Sequence, residues 1–192
     1  MTHLLPFAFA LAGFLVAVPA RAEPMIANRI VAVVGDEPIT FRALQVRARW
    51  QLATLDRALV PPQEKAERRR KGLRRTLREM IDEKLVERAA QAAQIEVSDE
   101  LMSLSIDKTA AHQNLSRDAL RAWALEVGLT PVELTAHFRR ALLEWLVLNR
   151  AYKEVHGETI GEARRQAFRA QWLEAQAREV GVEVGLVEGG AS

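Results

Sequence analysis

Four histidines, His3, His112, His137 and His156, are the only side chains here whose ordinary titration falls near neutral pH. No two of them stand at a spacing that closes on a metal ion. The chain has no Cys, which removes a thiolate nucleophile and a thiolate ligand together. It has no G-x-S-x-G elbow. Gly185 and Gly189-Gly190 lack the strand-loop-helix context of a phosphate loop. The acidic pairs Asp82-Glu83 and Asp99-Glu100 read as helix surface and as first-turn charge that complements a helix dipole. His137, on a long helix, reads as a partly exposed surface residue. These residue types predict no catalytic site, no metal site and no cofactor.

The side chains better suited to work are apolar. Trp50 and Trp123 lie among polar or small neighbours, and Met102 and Leu104 share a short helix. These four are the candidates for an exposed apolar surface, because Met and aromatic side chains repack against many sequences. Phe138, Trp145, Phe168 and Trp172 fall at helical spacing and are expected in the core.

The elements that must position these residues announce their starts. A Ser or Thr at an N-cap accepts a hydrogen bond from an orphan N–H, and apolar residues just before the cap and four after it often pack together. Thr40 (between Ile39 and Leu44), Ser98 (Val97 and Met102), Ser116 (Leu115 and Leu120) and Thr130 (Leu129 and Leu134) carry both devices. Thr130 also has Pro131 at the first helical position and Glu133 to complete a capping box. Thr159 to Glu162 has the capping-box pattern alone. The expected helices are 41–56, 63–94, 99–112, 117–127, 131–155 and 160–180. Gly128 and Gly157 mark the ends of the fourth and fifth. Between Ala141 and Leu148 the fifth is apolar nearly all round, so it is expected to be the central buried helix.

Short strands flank this helical body, Asn28 to Val34 before it and Val182 to Val187 after it. Neither can satisfy its backbone alone, so the two are expected to pair. The fold class is therefore mainly α: a single domain of about six helices with a small β element joining its ends.

Leu4 to Val18 is almost wholly apolar and is followed by Ala20-Arg21-Ala22, the small-x-small form of a signal-peptidase site. At about 15 residues the run is shorter than the roughly 20 that span a bilayer. Residues 1–22 are read as a cleaved leader, with a retained anchor as the alternative, and 23–192 as the exported domain. Loss of Arg21 alone takes the net charge from +2 to +1, so the overall balance selects no partner. The local balance is different. Between Glu64 and Arg78 stand eight basic residues, Lys65, Arg68, Arg69, Arg70, Lys71, Arg74, Arg75 and Arg78. A solvated helix face is the plain reading. Export argues against nucleic acid, and the Arg68–Arg78 segment is left with anionic lipid or acidic polypeptide as its candidate contacts.

The order of motifs resembles the SurA N-terminal domain family. Ile30 to Thr40, reading IVAVVGDEPIT, is similar to the family's opening strand-turn-strand, with Gly35-Asp36 where an Asn-Gly pair is common. Leu77 to Leu85 resembles its L-x-x-L-I-x-x-x-L helix, Ile95 to Glu100 its V-S-D-E step, and Leu115 to Tyr152 its short helix followed by a long one. The likeness covers 26–155 as an N-terminal core, and 159–192 resembles the family's returning C-terminal helix and strand. Full-length members usually carry parvulin-type prolyl isomerase domains between those two parts. Here only His156-Gly157-Glu158-Thr159 joins them. The resemblance implies a periplasmic chaperone core that binds unfolded or nascent exported polypeptides, outer-membrane proteins among them, without isomerase activity. A dedicated subunit of a secretion or envelope assembly system, or a prolyl isomerase, is the alternative.

Overall fold

The computed structural model describes residues 29–185, apart from the side chain of Trp50. The expected leader at 1–22, Asn28, and Leu186 and Val187 of the closing strand lie outside the described residues.

Strand β1 (Ile30–Val34) turns through Gly35-Asp36 into β2 (Glu37–Thr40). Gly35 makes that turn at φ +63°, a conformation that side chains with a Cβ resist. Its N–H donates to the Gly181 carbonyl at 2.9 Å, so the same turn receives the far end of the chain. Six helices follow: α1 (Phe41–Arg57), α2 (Pro62–Ala92), α3 (Asp99–His112), α4 (Arg117–Glu126), α5 (Pro131–His156) and α6 (Glu162–Val180). The closing strand β3 (Val182–Val184) completes an antiparallel sheet of order β2-β1-β3, with Val34 opposite Val182 and Ala32 opposite Val184. The first and last strands of the described residues therefore pair, as their unsatisfied backbones require.

The four stapled starts form as their residues dictate. The side chains of Thr40, Ser98, Ser116 and Thr130 accept from the N–H groups of Ala43, Leu101, Ala119 and Glu133. Glu133 returns the bond by accepting from the Thr130 N–H, closing the capping box. The expected cap at Thr159 does not form. Ile160 is buried, and its N–H donates to Asn149 Oδ1 on α5. That contact holds the chain out of helical register until Gly161, which takes the N-cap position without a side-chain bond.

Two apolar cores result. The larger gathers Val31, Val34, Ile39, Leu44, Leu77 and Leu85 from the sheet, α1 and α2, with Val147 of α5 and Leu173 of α6. The smaller joins Val97, Met102, Ala110, Leu120 and Phe138 under α3, α4 and the first half of α5. Leu143 of α5 packs against both. No helix among the described residues is long and apolar enough to cross a membrane.

Candidate binding site

Side chains at i±4 share a helix face, and His137, Ala141, Trp145 and Asn149 make one such face of α5. The sequence predicts α5 buried nearly all round here, with Trp145 in the core, and the structure corrects this. Trp145 is 43% exposed. Its neighbours on that face are polar or too small to cover it, and the core is filled from the other side by Phe138, Val147, Leu148 and Tyr152. Trp145 therefore stands as one wall of a groove of about 490 Å³ among α1, α2, α5 and α6. Val86, Ala141, Leu143 and Leu148 supply its apolar lining.

Charged side chains frame the groove, and several of them pair across it. Glu83 of α2 accepts from Arg47 of α1 and sits 3.2 Å from Arg140 of α5. Arg169 of α6 donates to both carboxylate oxygens of Glu144, at 2.8 and 3.1 Å, and to Asp82 at 3.2 Å. Burial pushes the carboxyls of Asp82 and Glu83 above their ordinary range, against the pull of Arg169 and Arg47 respectively. His137, at the rim, is held below its ordinary value by burial and then by the nearby positive charges of Arg140 and Arg47. The Glu144 carboxylate, bonded to Arg169, raises that guanidinium further. No group of three or more potential metal ligands gathers among the described residues. The groove offers an apolar wall and floor within a neutralised charged rim. That suits adhesion of an extended apolar segment.

A second apolar surface lies on the smaller lobe. Among the described residues, seven of the thirteen exposed large apolar side chains fall between Leu101 and Val132. Trp123 is 51% exposed, and Val127, one turn further along α4 and at its C-cap, is exposed beside it. Leu104 is 50% exposed on α3, with Leu101 one turn before it. α3 and α4 are in contact, with Arg117 at the start of α4 donating to Asp107 and Ser103 of α3. The structure thus places Leu104 and Trp123 on neighbouring helices at the surface. Met102, expected on this surface, is not part of it. It is 6% exposed, because the staple across the Ser98 cap packs it with Val97 into the smaller core. Trp50 lies on α1, in the other part of the molecule, and its side chain is outside the described residues. Phe138 is buried as expected, whereas Phe168 and Trp172 are half-buried. Phe168 stands edge-on to Tyr152 at 5.0 Å, and Trp172 packs on the larger core.

The SurA-like N-terminal domain matches residues 2–145, three quarters of the sequence. The chain belongs to the SurA-like N-terminal domain family. It is also similar to the Chaperone SurA of Chromobacterium violaceum, at 31% identity over 129 residues. That likeness covers 66% of this chain and 29% of the relative, so it spans less than a third of the relative's length. The SurA-like domain match takes in β1 to the middle of α5, including the α3–α4 lobe and Trp145 itself. The remainder of α5, α6 and β3 follow the matched region and supply Arg169, Leu173 and the third strand.

Proposed function

We propose that this protein is an exported, periplasmic chaperone that holds unfolded outer-membrane or secreted polypeptides in solution and does not catalyse prolyl isomerisation. The observation that carries the reading is apolar surface left uncovered on a SurA-like core: Trp145 in the groove, and Leu101, Leu104, Trp123 and Val127 on the α3–α4 lobe. Apolar side chains grouped at an open surface are the kind that mark interaction sites. Aromatic and leucine side chains at an open surface accept many sequences, which is what an unfolded client presents. Prolyl isomerisation has a barrier of about 18–20 kcal/mol and needs a shaped proline pocket. The segment between α5 and α6, residues 157–161, has no length for a domain that would hold one. Affinity for clients is expected on the order of micromolar, about −8 kcal/mol, which permits release without an energy source.

The test is an aggregation assay with several unfolded outer-membrane proteins, run beside a protease-coupled proline-peptide assay. Aggregation is expected to slow and isomerisation to stay at the uncatalysed rate. Trp145→Ser and Trp123→Ser should each weaken client binding with little change in melting temperature. Met102→Ser should lower the melting temperature, because it places a hydroxyl in the smaller core. Isomerase activity that survives purification, with no effect on aggregation, would refute the proposal.

A further inference from the structure

The hairpin of α1 and α2 extends beyond the cores. No residue of α2 before Leu73 is buried, and among the described side chains of α1 the last buried one is Ala48, with Leu52 partly buried against the larger core beyond it. The tip of this arm is Ala58-Leu59-Val60-Pro61, and Leu59 is fully exposed there. Around the tip cations outnumber the three carboxylates Asp56, Glu64 and Glu67. Arg57 precedes it, Lys65 follows it, and Arg68, Arg69, Arg70 and Lys71 occupy four consecutive exposed positions of α2. Consecutive helical residues are about 100° apart, so these four encircle the helix. Arg70, Lys71 and Arg74 have no carboxylate partner among the described residues. Arg68 and Arg69 are held only by exposed pairs with Glu64 and Asp56, of a kind that exchanges readily for another anion.

We infer that this tip docks end-on into an anionic phospholipid surface, with Leu59 entering the interface and the cations around it meeting head-group phosphates. Three features favour lipid over an acidic protein. A protein partner would be read by cations gathered on one side, and these encircle the arm. The arm cannot lie flat as an amphipathic helix, because the apolar stripe of α2 begins at Leu73 and is used by the larger core. The spacing also fits. Each head-group layer is roughly 5–7 Å deep, and Lys65 lies about 4–5 Å along the axis from Pro62. Arg68 to Lys71 follow at about 9–14 Å, within a Debye length of about 8 Å from that layer. The expected source of the phosphate is the membrane that an exported chain passes.

The experiment uses the matured protein purified from the cells that make it, with vesicles of phosphatidylglycerol and phosphatidylethanolamine, and phosphatidylcholine vesicles as the neutral control. The chain has no Cys, so Leu59→Cys carries a unique site for an environment-sensitive fluorophore. A blue shift on anionic vesicles alone is expected. Charge reversal at Arg70, Lys71 and Arg74 should lower vesicle affinity at least tenfold, and Leu59→Asp should do the same, with melting and aggregation suppression unchanged. Equal binding by parent and variants, or a fluorophore that stays in water while the protein is vesicle-bound, overturns the inference. So does binding to polyglutamate without binding to vesicles, which would assign the cations to an acidic polypeptide.

Discussion

Among the threonines of the helices, Thr109 and Thr135 donate their hydroxyls one turn back, to the carbonyls of Ser105 and Pro131, both at 2.9 Å. Thr76 of α2 does not. It is buried, and its Oγ1 has no hydrogen-bond partner among the described residues. A buried hydroxyl without a hydrogen bond costs about 1–3 kcal/mol, whereas a methyl of the same size costs nothing in desolvation. Val and Thr have similar helix propensity, so the backbone is indifferent to the exchange. Thr76→Val is therefore expected to stabilise the protein by about 1 kcal/mol, which raises the melting temperature by about 2–4 °C for a chain of this size. A fall in calorimetric melting temperature would show that the hydroxyl is satisfied in solution. Single residues were also where sequence was least legible. Met102 belongs to a staple motif that was itself readable, and the staple buries it. Trp145 sits inside an apolar run that suggested a core position. The polar and small residues four and eight places away on its face, Asn149, Ala141 and His137, were the readable sign of an open groove. What sequence could not supply is the third dimension of that groove, since Arg47 and Arg169 reach it from α1 and α6.

Helix starts were legible because capping chemistry is local, and helix stops less so. α2, α3 and α4 all end the same way. Ile95, Leu115 and Leu129 donate their N–H groups to the carbonyls of Ala90, Ala110 and Ala124, each at 2.8 Å, in a Schellman-type closure. Gly128 takes positive φ in the last of these and could be read from its type. In the first two Gln94 and Asn114 take it, at φ 53° and 54°, and Gln in particular gives no such sign. The element of greatest consequence is the returning pair α6 and β3. It contributes Leu173 and Val182 to the larger core, covers the inner strand β1, and brings Arg169 to the buried carboxyl of Asp82. Deleting 159–192 would remove Leu173 and Trp172, at about 2–5 kcal/mol for a buried leucine alone, and would leave Asp82 without that partner. Domains of this size have about 5–15 kcal/mol in total. The truncated chain is expected to lose its cooperative thermal transition. An unchanged melting temperature by circular dichroism would show that the core closes without its C-terminal segment.

At the scale of the whole molecule, α5 is the shared member of two cores, and a lattice of ion pairs binds it to its neighbours. Arg47 of α1, Glu83 of α2 and Arg140 of α5 form one part, and Asp82, Glu144 and Arg169 the other. Acid acts on the charges of this molecule in opposite directions. The Asp36 carboxyl is lowered by Arg88, Glu37 by Lys84, Glu133 by the Thr130 N–H, and Glu100 by its own backbone and Ser98. Each of these is stabilising above its ordinary titration and loses that contribution as pH falls through the lowered folded value. His137 is lowered as well, so the unfolded chain takes up its proton first, and stability declines once pH drops below about 6.5. Asp82 and Glu83 are raised by burial, so the folded protein binds their protons first, and acidification through that range returns stability. The two carboxyls at the helix junction therefore partly offset the losses at the surface. Asp82→Asn together with Glu83→Gln keeps hydrogen-bond acceptors for Arg169, Arg47 and Arg140 while removing the titration. The double variant is expected to lose stability more steeply than the parent between pH 6 and pH 3, whatever its stability at pH 7. Thermal melts across that range read the slope directly. A shallower slope in the variant would mean that these carboxyls titrate below their ordinary values, and that pairing with the arginines outweighs their burial.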